Sequence, residues 1–491
     1  MQLPRRDALA VAGSLFALAG CSSPGRESVG MDGGRTGGSP GATTVDVDDP
    51  ESVSAYFEDG NLVAPVDNDS VSTRNVNGVR YATPTGGSGR GENAPPSADP
   101  YTLDESALEG FQGRFVLHRG RWVTSGLATD ASLNWDDCPV YVEGDGVWAT
   151  AVEHVDGSTP TVTLQAAKGN GGGVRNVALY GAGMDVGDAP ILEAGPNPYD
   201  HVIENAIVRH GGSDAVRVHA SGSGTRVTNC WLENCPGRAL RVDDGSRVKV
   251  DNVHVTGTGG GVAQNGTHGN FSNLTVFDLH DGVAFEFTSP GNVLTNFVAK
   301  KNLSMGVRIA SGGRHTTVSS GYVADVANAG LFVGGRDATV SDVAVENWGT
   351  EKGWAPLVRL MGAGSTATNL WGVRSSADAS TTLARVEADH CRILGLGGDP
   401  AVDWQLFVGS DAVHAVLDSV YGVDHQDIVD EGTRTLVNRW GTNDGDPNET
   451  GEWHGYAEYA GTMNATVWDV TSAPWTPYRA TPDGGTWLAS T

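Results

Sequence analysis

The sequence predicts an all-β fold, a parallel β-helix in which short strands wind into stacked coils. Three observations predict it: a short motif recurs about every 24 residues, two further short strands with alternating apolar residues follow most copies, and glycine is abundant, at 69 of 491 residues. No window carries the i, i+3, i+4 apolar stripe of a helical solenoid. Propeller blades need four longer strands over about 40 residues, so a β-helix remains.

The recurring motif is an asparagine, or a small or acidic substitute, followed by alternating apolar residues. An asparagine side chain at a tight bend between two strands can bond its equivalent in the next coil. Strands of successive coils then pair in parallel, and their inward apolar residues stack into one long core. The expected anchors, one for each coil, are Asn176, Asn205, Asn229, Asn252, Asn273, Asn296, Gly321, Asp342 and Asn369.

The N-terminus carries the pattern of an export signal. Arg5–Arg6 is a twin-arginine pair, and the apolar stretch at residues 8–19 is too short to span a bilayer. The sequence Leu-Ala-Gly-Cys that ends at Cys21 reads as a lipobox, in which the cysteine is lipidated and becomes the new N-terminus. We therefore expect an extracellular protein that lipid at Cys21 holds at the cell surface.

Composition divides the chain into five parts. A bare β-helix end would expose strand edges and apolar side chains, so a short helix at residues 103–112 is expected to cap the core. The predicted parts are residues 1–21 (signal with lipobox), 22–55 (Gly/Ser-rich tether), 56–110 (N-terminal segment and cap), 111–430 (β-helix) and 431–491 (Trp-rich C-terminal β module).

The charge of the chain is strongly negative, at −27, and only five of its 32 basic residues are lysine. Such a surface repels polyphosphates, which excludes nucleic acid as an expected partner. An acidic, lysine-poor composition suits concentrated salt, where screening removes the mutual repulsion of the carboxylates. The composition thus predicts a halophilic source.

Metal and cysteine chemistry is sparse in the sequence. There is no CxxC pair or His/Cys ligand spacing, so no metal site is predicted. No cofactor is required, and Ca²⁺ is the one cofactor left open, because Asp444, Asp446 and Asn448 have part of the spacing of a calcium loop. Three disulfide pairings are open to the cysteines after Cys21, and a buried free thiol is preferred for the second of them. These cysteines are Cys138, Cys230, Cys235 and Cys391.

The anchors and the Gly-apolar-x-apolar strands resemble those of right-handed parallel β-helix proteins of the pectate lyase-like superfamily. The resemblance covers residues 111–430, and the N-terminus resembles exported lipoproteins of haloarchaeal type. It implies a right-handed, single-stranded parallel β-helix, a scaffold that hosts lyases, hydrolases, epimerases, esterases, adhesins and tail spikes. The catalytic motifs of polygalacturonases and pectate lyases are absent, so their catalytic residues cannot be transferred.

A polar stripe is the candidate site. Alternation in the second strand of each coil predicts one outward column with Arg217, Arg241, Ala263, Ala284 and Arg308, and beside it a second with His219, Asp243, Asn265 and Glu286. Strands of neighbouring coils lie about 4.8 Å apart. The predicted catalytic residues are Asp243, Glu286, His219, Arg241, Arg217 and Arg308. The predicted substrate-binding residues are Asn265, His280, Asp281 and His210.

Three roles are open to this stripe. Asp243 and Glu286 have the spacing for the acid and base of an inverting glycosidase. In a lyase, carboxylates would instead hold Ca²⁺ against a uronate while an arginine abstracts the proton. Ordinary cross-strand ion pairs account for the same residues without any activity.

The sequence therefore predicts an exported, surface-anchored protein that binds a polysaccharide and, if it is an enzyme, cleaves it as a lyase or glycoside hydrolase. The alternative is a non-catalytic adhesin or tail-spike-like protein, whose Trp-rich C-terminus promotes self-association into a homo-oligomer such as a trimer. A purely structural envelope protein is a third class. Exposed tryptophans late in the helix, expected at Trp348, Trp354 and Trp371, are candidates for stacking on sugar rings.

Overall fold

The structure, a computed structural model, describes most of the chain between residues 112 and 441 and shorter segments on either side. Described are residues 57–58, 61–62, 65–68, 71–76, 79–84, 101–103, 108, 112–129, 131, 139–165, 169–170, 172–184, 186–195, 198–219, 223–398, 402–421, 423, 428–433, 435–441, 452–459, 462–468, 477–479 and 488–489. The predicted signal, lipobox and tether lie outside these residues.

The described chain forms a parallel β-helix of about a dozen coils, as the sequence predicts. Each coil contributes strands to three sheets, which we name A, B and C in the order in which the chain visits them. Every strand pairs in parallel with its equivalents in the coils before and after, so that side chains far apart in sequence become neighbours in columns.

The early coils have separate strands for sheets A and B. Those of sheet A are Val79–Pro84, Gly113–Leu117, Val140–Gly144, Gly173–Arg175 and Val202–Glu204. Those of sheet B are Tyr101–Thr102, Gly120–Thr124, Thr150–His154, Ala178–Tyr180 and Ile207–Arg209.

In later coils one longer strand bends and serves both sheets. These strands are Arg226–Glu233, Lys249–Thr256, Asn270–Phe277, Val293–Ile309, Thr317–Val326, Thr339–Trp348, Thr366–Val373, Arg392–Gly398, Val416–Tyr421 and Leu436–Gly441.

Sheet C runs the length of the helix, and the end of Val293–Ile309 also joins it. Its other strands are Leu127–Ala128, Val162–Leu164, Leu192–Ala194, Val216–Val218, Arg238–Val242, Gly260–Gln264, Gly282–Phe287, Leu331–Val333, Val358–Leu360, Thr382–Val386, Gln405–Val408 and Ile428–Asp430.

Antiparallel strands flank the helix at both ends. On the N-terminal side, Phe57–Glu58 pairs with Asn61–Leu62, and Pro65–Asn68 and Val71–Val76 lead into the first strand of sheet A. On the C-terminal side, the last shared strand continues antiparallel into Glu452–Tyr459, Thr462–Trp468, Pro477–Arg479 and Leu488–Ala489. Gly169–Asn170 and Pro198–Tyr199 form a small separate sheet. Most of residues 103–112, the predicted helical cap, lie outside the described residues.

The bend between sheets A and B confirms the asparagine anchors. Asn176, Asn205 and Asn229 have φ of 55°, 48° and 53°, the left-handed conformation that asparagine tolerates better than most residues. The Asn205 amide donates to Asn176 Oδ1 at 2.6 Å, and the Asn252 amide to Asn229 Oδ1 at 2.8 Å. The amide column thus ties consecutive coils together.

One anchor was predicted wrongly. In the seventh coil of the series, the left-handed residue is Ser320, with φ of 56°, and not Gly321. Gly321 begins the strand on sheet B and pairs with Phe297. A Cβ at Gly321 would lie 2.1 Å from the Phe297 ring, so glycine is there to make room for that ring.

The core is a stack of aliphatic residues with phenylalanines at its centre. Phe285 packs edge-on against Phe297 with ring centroids 5.2 Å apart, and Phe271 against Phe287 at 5.5 Å. Gln264 is fully buried in the same interior, where its inward orientation was predicted. Packing of these rings is the main stabilising interaction along the middle coils.

The described cysteines are free, buried thiols, as predicted for Cys230. Burial raises the pKa of Cys230 and of Cys235 to about 12, and that of Cys391 to about 11. These thiols are therefore poor nucleophiles. Cys138 lies outside the described residues.

We expect the asparagine column to contribute measurably to stability at Asn252. Asn252→Ala removes the hydrogen bond to Asn229 and also places alanine, which disfavours the left-handed conformation, at φ 52°. Asn252→Gly removes only the hydrogen bond, because glycine adopts this φ readily. The alanine variant should lose about 2 kcal/mol in the free energy of unfolding and the glycine variant about 1 kcal/mol, measured by urea denaturation. Equal stabilities for the two variants and the wild type would contradict this role.

Candidate functional site

The middle outward column of sheet C is rich in arginine. Its residues face one another across consecutive coils in the order Arg217, Arg241, Ala263, Glu286, Arg308, Phe332, Arg359 and Arg385. The sequence correctly places the arginines of the predicted stripe on one face.

Glu286 lies in a different column from the one predicted. His219, Asp243 and Asn265 do follow one another on consecutive coils. The backbone N–H groups of Asp243 and Asn265 each donate a hydrogen bond to a carbonyl of the preceding coil. Their column continues to Thr288, whose hydroxyl donates to Asn265 Oδ1 at 2.8 Å. Glu286 faces Ala263 and belongs to the arginine column.

The error came from the strand Gly282–Phe287, where apolar residues are nearly continuous. Phe285 points inward, as predicted, but it pairs with Val262, and Phe287 pairs with Gln264, so the register is shifted by two residues from the predicted one. A register irregularity at Gly282 and Val283 accommodates the shift. Ala284, predicted to face outward, is fully buried.

Asp243 is bound by two arginines. Arg217 Nε donates to its Oδ2 at 2.8 Å, and Arg241 Nε donates to its Oδ1 at 2.7 Å. Partial burial acts to raise the pKa of Asp243, but the hydrogen bonds and charges of Arg217 and Arg241 outweigh it and lower the pKa below its usual value. The Asp243 carboxylate is therefore ionised at neutral pH.

Glu286 is held in the same way and is only 7 % exposed. Arg308 Nη1 donates to Oε1 at 2.8 Å from the next coil, and Arg238 donates to Oε2 from two coils before. Arg238 faces Gly260 in the intervening coil, and that glycine leaves space for the arginine side chain to cross.

A third cluster of this kind was not singled out from the sequence. Arg359 Nε and Arg385 Nε donate to the two oxygens of Glu387 at 2.7 Å and 2.6 Å. Partial burial again opposes the effect, but the two arginines lower the pKa of Glu387. In each case one carboxylate lies between two arginines. We call the three arrangements, around Asp243, Glu286 and Glu387, the ion-pair clusters of sheet C.

The ion-pair clusters are poorly suited to acid–base catalysis. An inverting glycosidase needs one carboxylic acid that stays protonated near neutral pH, which requires a raised pKa. The pKa values of Asp243 and Glu387 are lowered, and both oxygens of all three carboxylates accept hydrogen bonds from arginine. The arrangement can stabilise adjacent coils and present guanidinium groups to solvent.

The predicted substrate-binding residues separate in the structure. Asn265 lies beside the clusters, whereas His280 and Asp281 are exposed at the bend between sheets B and C. His210 instead lines a cleft of about 350 Å³ with Glu153, Tyr180 and Met184 on the side of sheet B.

The groups that line the His210 cleft are already engaged. Arg121 binds both oxygens of Glu153, at 2.7 Å and 2.5 Å, and Arg209 donates to the Tyr180 hydroxyl. Burial, and then the charge of Arg209, lower the pKa of His210, so its imidazole is neutral at pH 7. Among the described residues that line this cleft, the acid Glu153 is thus already bound by Arg121.

Aromatic residues occupy one outward column of sheet B, a feature that was not predicted from the sequence. Register places residues of this column on consecutive coils in the order Trp231, His254, Thr275, Val298, Tyr322, Ala344, Trp371 and Gly397. Tyr421 follows, since the Gly397 position abuts the Tyr421 Cβ. We call these residues the aromatic column.

The rings of the aromatic column are open to solvent. Trp231 is 48 %, Trp371 45 % and Tyr421 43 % exposed, which is unusual for such large apolar groups in a sheet. The Trp371 ring lies over Gly397, where a Cβ would come within 2.8 Å of the indole, so glycine lets the ring lie against the sheet. Trp231 packs on His254 with ring centroids 5.2 Å apart.

The other tryptophans predicted to be exposed differ from one another. Trp354 is exposed, in the segment between sheets B and C, but outside the aromatic column. Trp348 is fully buried: its indole stacks on Trp404 at 5.5 Å and donates to the Thr382 carbonyl at 2.9 Å. The prediction for Trp348 was wrong because its strand turns inward at the end of sheet B.

Metal and membrane features are limited in the described part of the chain. No group of three or more His, Cys, Asp or Glu side chains there is arranged to hold a metal ion. No helix within those segments is long and apolar enough to cross a membrane. Asp444, Asp446 and Asn448, the partial calcium spacing, lie outside the described residues.

We expect the ion-pair clusters to act on stability. Asp243→Asn leaves Arg217 and Arg241 without their shared counter-charge and should lower the free energy of unfolding by about 1 kcal/mol in dilute salt. Concentrated salt should reduce the loss. The control is Asp244→Asn, an exposed neighbour outside the clusters, which should change stability little. Equal effects of the two variants in a denaturation series would contradict a specific cluster.

Comparison with known proteins supports the fold. Residues 168–350 match the family model of the right handed beta helix region. No curated protein matches the sequence significantly.

Among solved structures, the chain is similar to the Dettilon tailspike protein (gp208), at 11 % identity and a TM-score of 0.46, covering 76 % of this chain and 74 % of the other. It is also similar to the tailspike of E. coli bacteriophage HK620, crystallised as a double mutant with a pentasaccharide, at 11 % identity and a TM-score of 0.44, covering 72 % and 79 %.

A third similar structure is the A-module of Azotobacter vinelandii mannuronan C-5 epimerase AlgE6, at 12 % identity and a TM-score of 0.37, covering 65 % of this chain and 93 % of the module. Identities this low carry no information on activity. The matched region and the coil geometry agree on a right-handed β-helix.

Proposed function

We propose that this protein binds an extended polysaccharide along the aromatic column of sheet B and does not cleave it. The observation that carries the proposal is the row of rings in a single register: Trp231, Trp371 and Tyr421, which are exposed, and Tyr322, which is half-buried. Aromatic rings offer large apolar faces at low entropic cost, and the C–H face of a pyranose ring packs against such a surface.

The spacing of the rings suits a periodic ligand. Tyr322, Trp371 and Tyr421 occur at every second coil, which corresponds to about 9.6 Å between neighbouring rings. The coils between them carry Ala344 and Gly397, which are small enough to leave the surface open. A regular glycan chain could therefore place recurring sugar units on successive rings.

Polar groups flank the rings. The next outward column of sheet B contains the polar residues Arg209, Glu233, Thr256, Lys300 and Glu346, interspersed with Phe277, Ala324 and Val373. Such groups can hydrogen-bond sugar hydroxyls beside a stacking platform, the usual composition of a saccharide site. A purely apolar partner would remove these polar groups from water, which costs free energy.

The case for binding without cleavage comes from sheet C. The carboxylates of the predicted catalytic residues Asp243 and Glu286 are each bound by two arginines. The aromatic column lies on a different sheet from these carboxylates, so a glycan stacked on it is held away from the predicted catalytic stripe.

We expect Trp371→Ala to weaken polysaccharide binding about tenfold, because it removes one stacking platform. The matched control is Trp354→Ala, which removes an indole of 57 % exposure outside the column and should leave affinity unchanged. The measurement is affinity electrophoresis through a panel of embedded neutral and acidic polysaccharides in concentrated salt, with sizing to check that the oligomeric state is the same.

Two outcomes would contradict this function. In the first, Trp371→Ala and Trp354→Ala weaken binding equally. In the second, the wild-type protein releases reducing ends or unsaturated products from a bound polysaccharide and Asp243→Asn abolishes that release. The second result would indicate that the active site lies on sheet C and that the protein cleaves the polysaccharide.

We further propose that the protein works outside the cell, anchored by lipid at Cys21. The support is the twin-arginine pair and the lipobox of the sequence.

Cys21→Ala should release the protein from the membrane fraction into the medium, measured by fractionation of cells in which it is expressed. A conservative exchange in the tether, Ser22→Ala, should leave the protein membrane-bound. Retention of the Cys21→Ala protein in the membrane fraction would contradict the anchor.

A further inference from the structure

A second cleft lies where sheet C turns toward sheet A, in the downstream half of the helix. It has a volume of about 390 Å³. The residues that line it include Arg314, Arg336, Met361, Ala363, Asp389 and Asp411.

The cleft exists because large side chains are missing from one outward column of sheet C. That column carries His219, Asp243, Asn265 and Thr288 in earlier coils, and then Ala310 and Gly334. A Cβ at the neighbouring Gly362 would lie 2.0 Å from the Gly335 carbonyl oxygen, so the chain approaches itself too closely there for any side chain.

Two arginines stand together at the upstream end of the cleft. Arg314 and Arg336 each precede a left-handed residue, at His315 and Asp337, and so occupy equivalent positions on adjacent coils. Both side chains are exposed. Adjacent like charges repel, so this pairing has a cost that a bound anion would remove.

Arg314 and Arg336 differ from the arginines of the ion-pair clusters. Each cluster arginine contacts a carboxylate, for example Arg308 with Glu286 at 2.8 Å and Arg359 with Glu387 at 2.7 Å. Within the described part of the chain, neither Arg314 nor Arg336 makes an ion pair. Their guanidinium groups keep donors available in a protein whose net charge is −27.

The other end of the cleft is acidic, and its floor is apolar. Asp389 Oδ1 accepts a hydrogen bond from the Val413 amide at 3.1 Å, and Asp411 is exposed beside it. Met361, which is largely exposed, and Ala363 lie between the two ends. The cleft thus offers two guanidinium groups, an apolar surface and two carboxylate acceptors in sequence along five coils.

We propose that this cleft binds a single acidic sugar unit, with its carboxylate or sulfate ester at Arg314 and Arg336. The planar guanidinium fork matches the geometry of an oxyanion and holds it by paired hydrogen bonds. A hydroxyl on the far side of the sugar ring donates to Asp389, and the ring packs on Met361. The acidic end disfavours a polyanion that would run the length of the cleft.

The inference is independent of the aromatic column, because the two sites use different sheets. If Trp371→Ala does not weaken polysaccharide binding, the proposal for this cleft still stands. If the cleft does not bind an acidic sugar, the proposal for the aromatic column still stands.

The test compares three small probes at fixed ionic strength: methyl glucuronoside, glucose 6-sulfate and neutral methyl glucoside. Saturation-transfer NMR gives the dissociation constant of each for the full chain. At least one acidic probe should bind more tightly than methyl glucoside. The preference between the two acidic probes identifies the oxyanion, a carboxylate or a sulfate ester.

The variants Arg314→Ala and Arg336→Ala should each raise the dissociation constant of the acidic probe about tenfold. In these variants the acidic probe should bind no more tightly than methyl glucoside. Arg336→Lys keeps the positive charge but loses the paired hydrogen bonds of the planar guanidinium group. Its affinity for the acidic probe should therefore lie between those of the wild type and Arg336→Ala. Thermal unfolding checks that the variants are folded, which surface arginines without ion pairs should permit.

The matched control is the double variant Arg226→Ala/Lys249→Ala. These cations are also adjacent on neighbouring coils, but they lie on the outer face of sheet A. Their removal should change the dissociation constant less than twofold. Equal weakening by the control, no loss in the Arg314 and Arg336 variants, or equal binding of all three probes would each overturn the proposal.

Discussion

The parallel hydrogen bonding between successive coils is the constraint on which the rest of the structure depends. Because each strand pairs with its equivalent one coil away, about 4.8 Å along the helix, every outward position becomes part of a column. The identity of a surface is then set by which residue types recur with the period of the coil. Side chains that are two dozen residues apart in sequence act together as one surface.

The outer faces of this protein carry columns of different residue types. Sheet C alternates arginines with carboxylates, which bind one another across coils and leave few groups free for catalysis. Sheet B carries exposed rings at regular intervals, with hydrogen-bonding groups in the adjacent column. The turn from sheet C to sheet A opens into a cleft where Arg314 and Arg336 have no counter-charge among the described residues. Binding, at two chemically distinct surfaces, is the activity that this distribution favours.

Much of the scaffold could be predicted from sequence, because the bend and the core leave strong local signals. Asparagine at a left-handed position and alternating apolar residues identified the coil, the anchors and the inward side of most strands. At Gly321 the signal was misleading, because that glycine makes room for the Phe297 ring while Ser320 adopts the left-handed conformation.

The candidate site was less predictable, because it depends on exact register between coils. In Gly282–Phe287 a single alternation of apolar residues fits two registers, and only the pairing of Phe285 with Val262 decides that Glu286 joins the arginine column. Alternation also cannot reveal that Arg238 reaches Glu286 across Gly260, two coils away. The aromatic column was missed for the same reason, since its rings are scattered through the sequence and become neighbours only in the correct register.

The most direct measurement of this register is the distance between spin labels at positions 231 and 371, two members of the aromatic column. Six coils separate them, which predicts a narrow distribution centred at about 29 Å by double electron–electron resonance, before allowance for the label arms. Buried thiols such as Cys230, whose pKa is raised to about 12, should resist labelling. A broad distribution, or a distance far from this value, would contradict the stacked register and both binding surfaces derived from it.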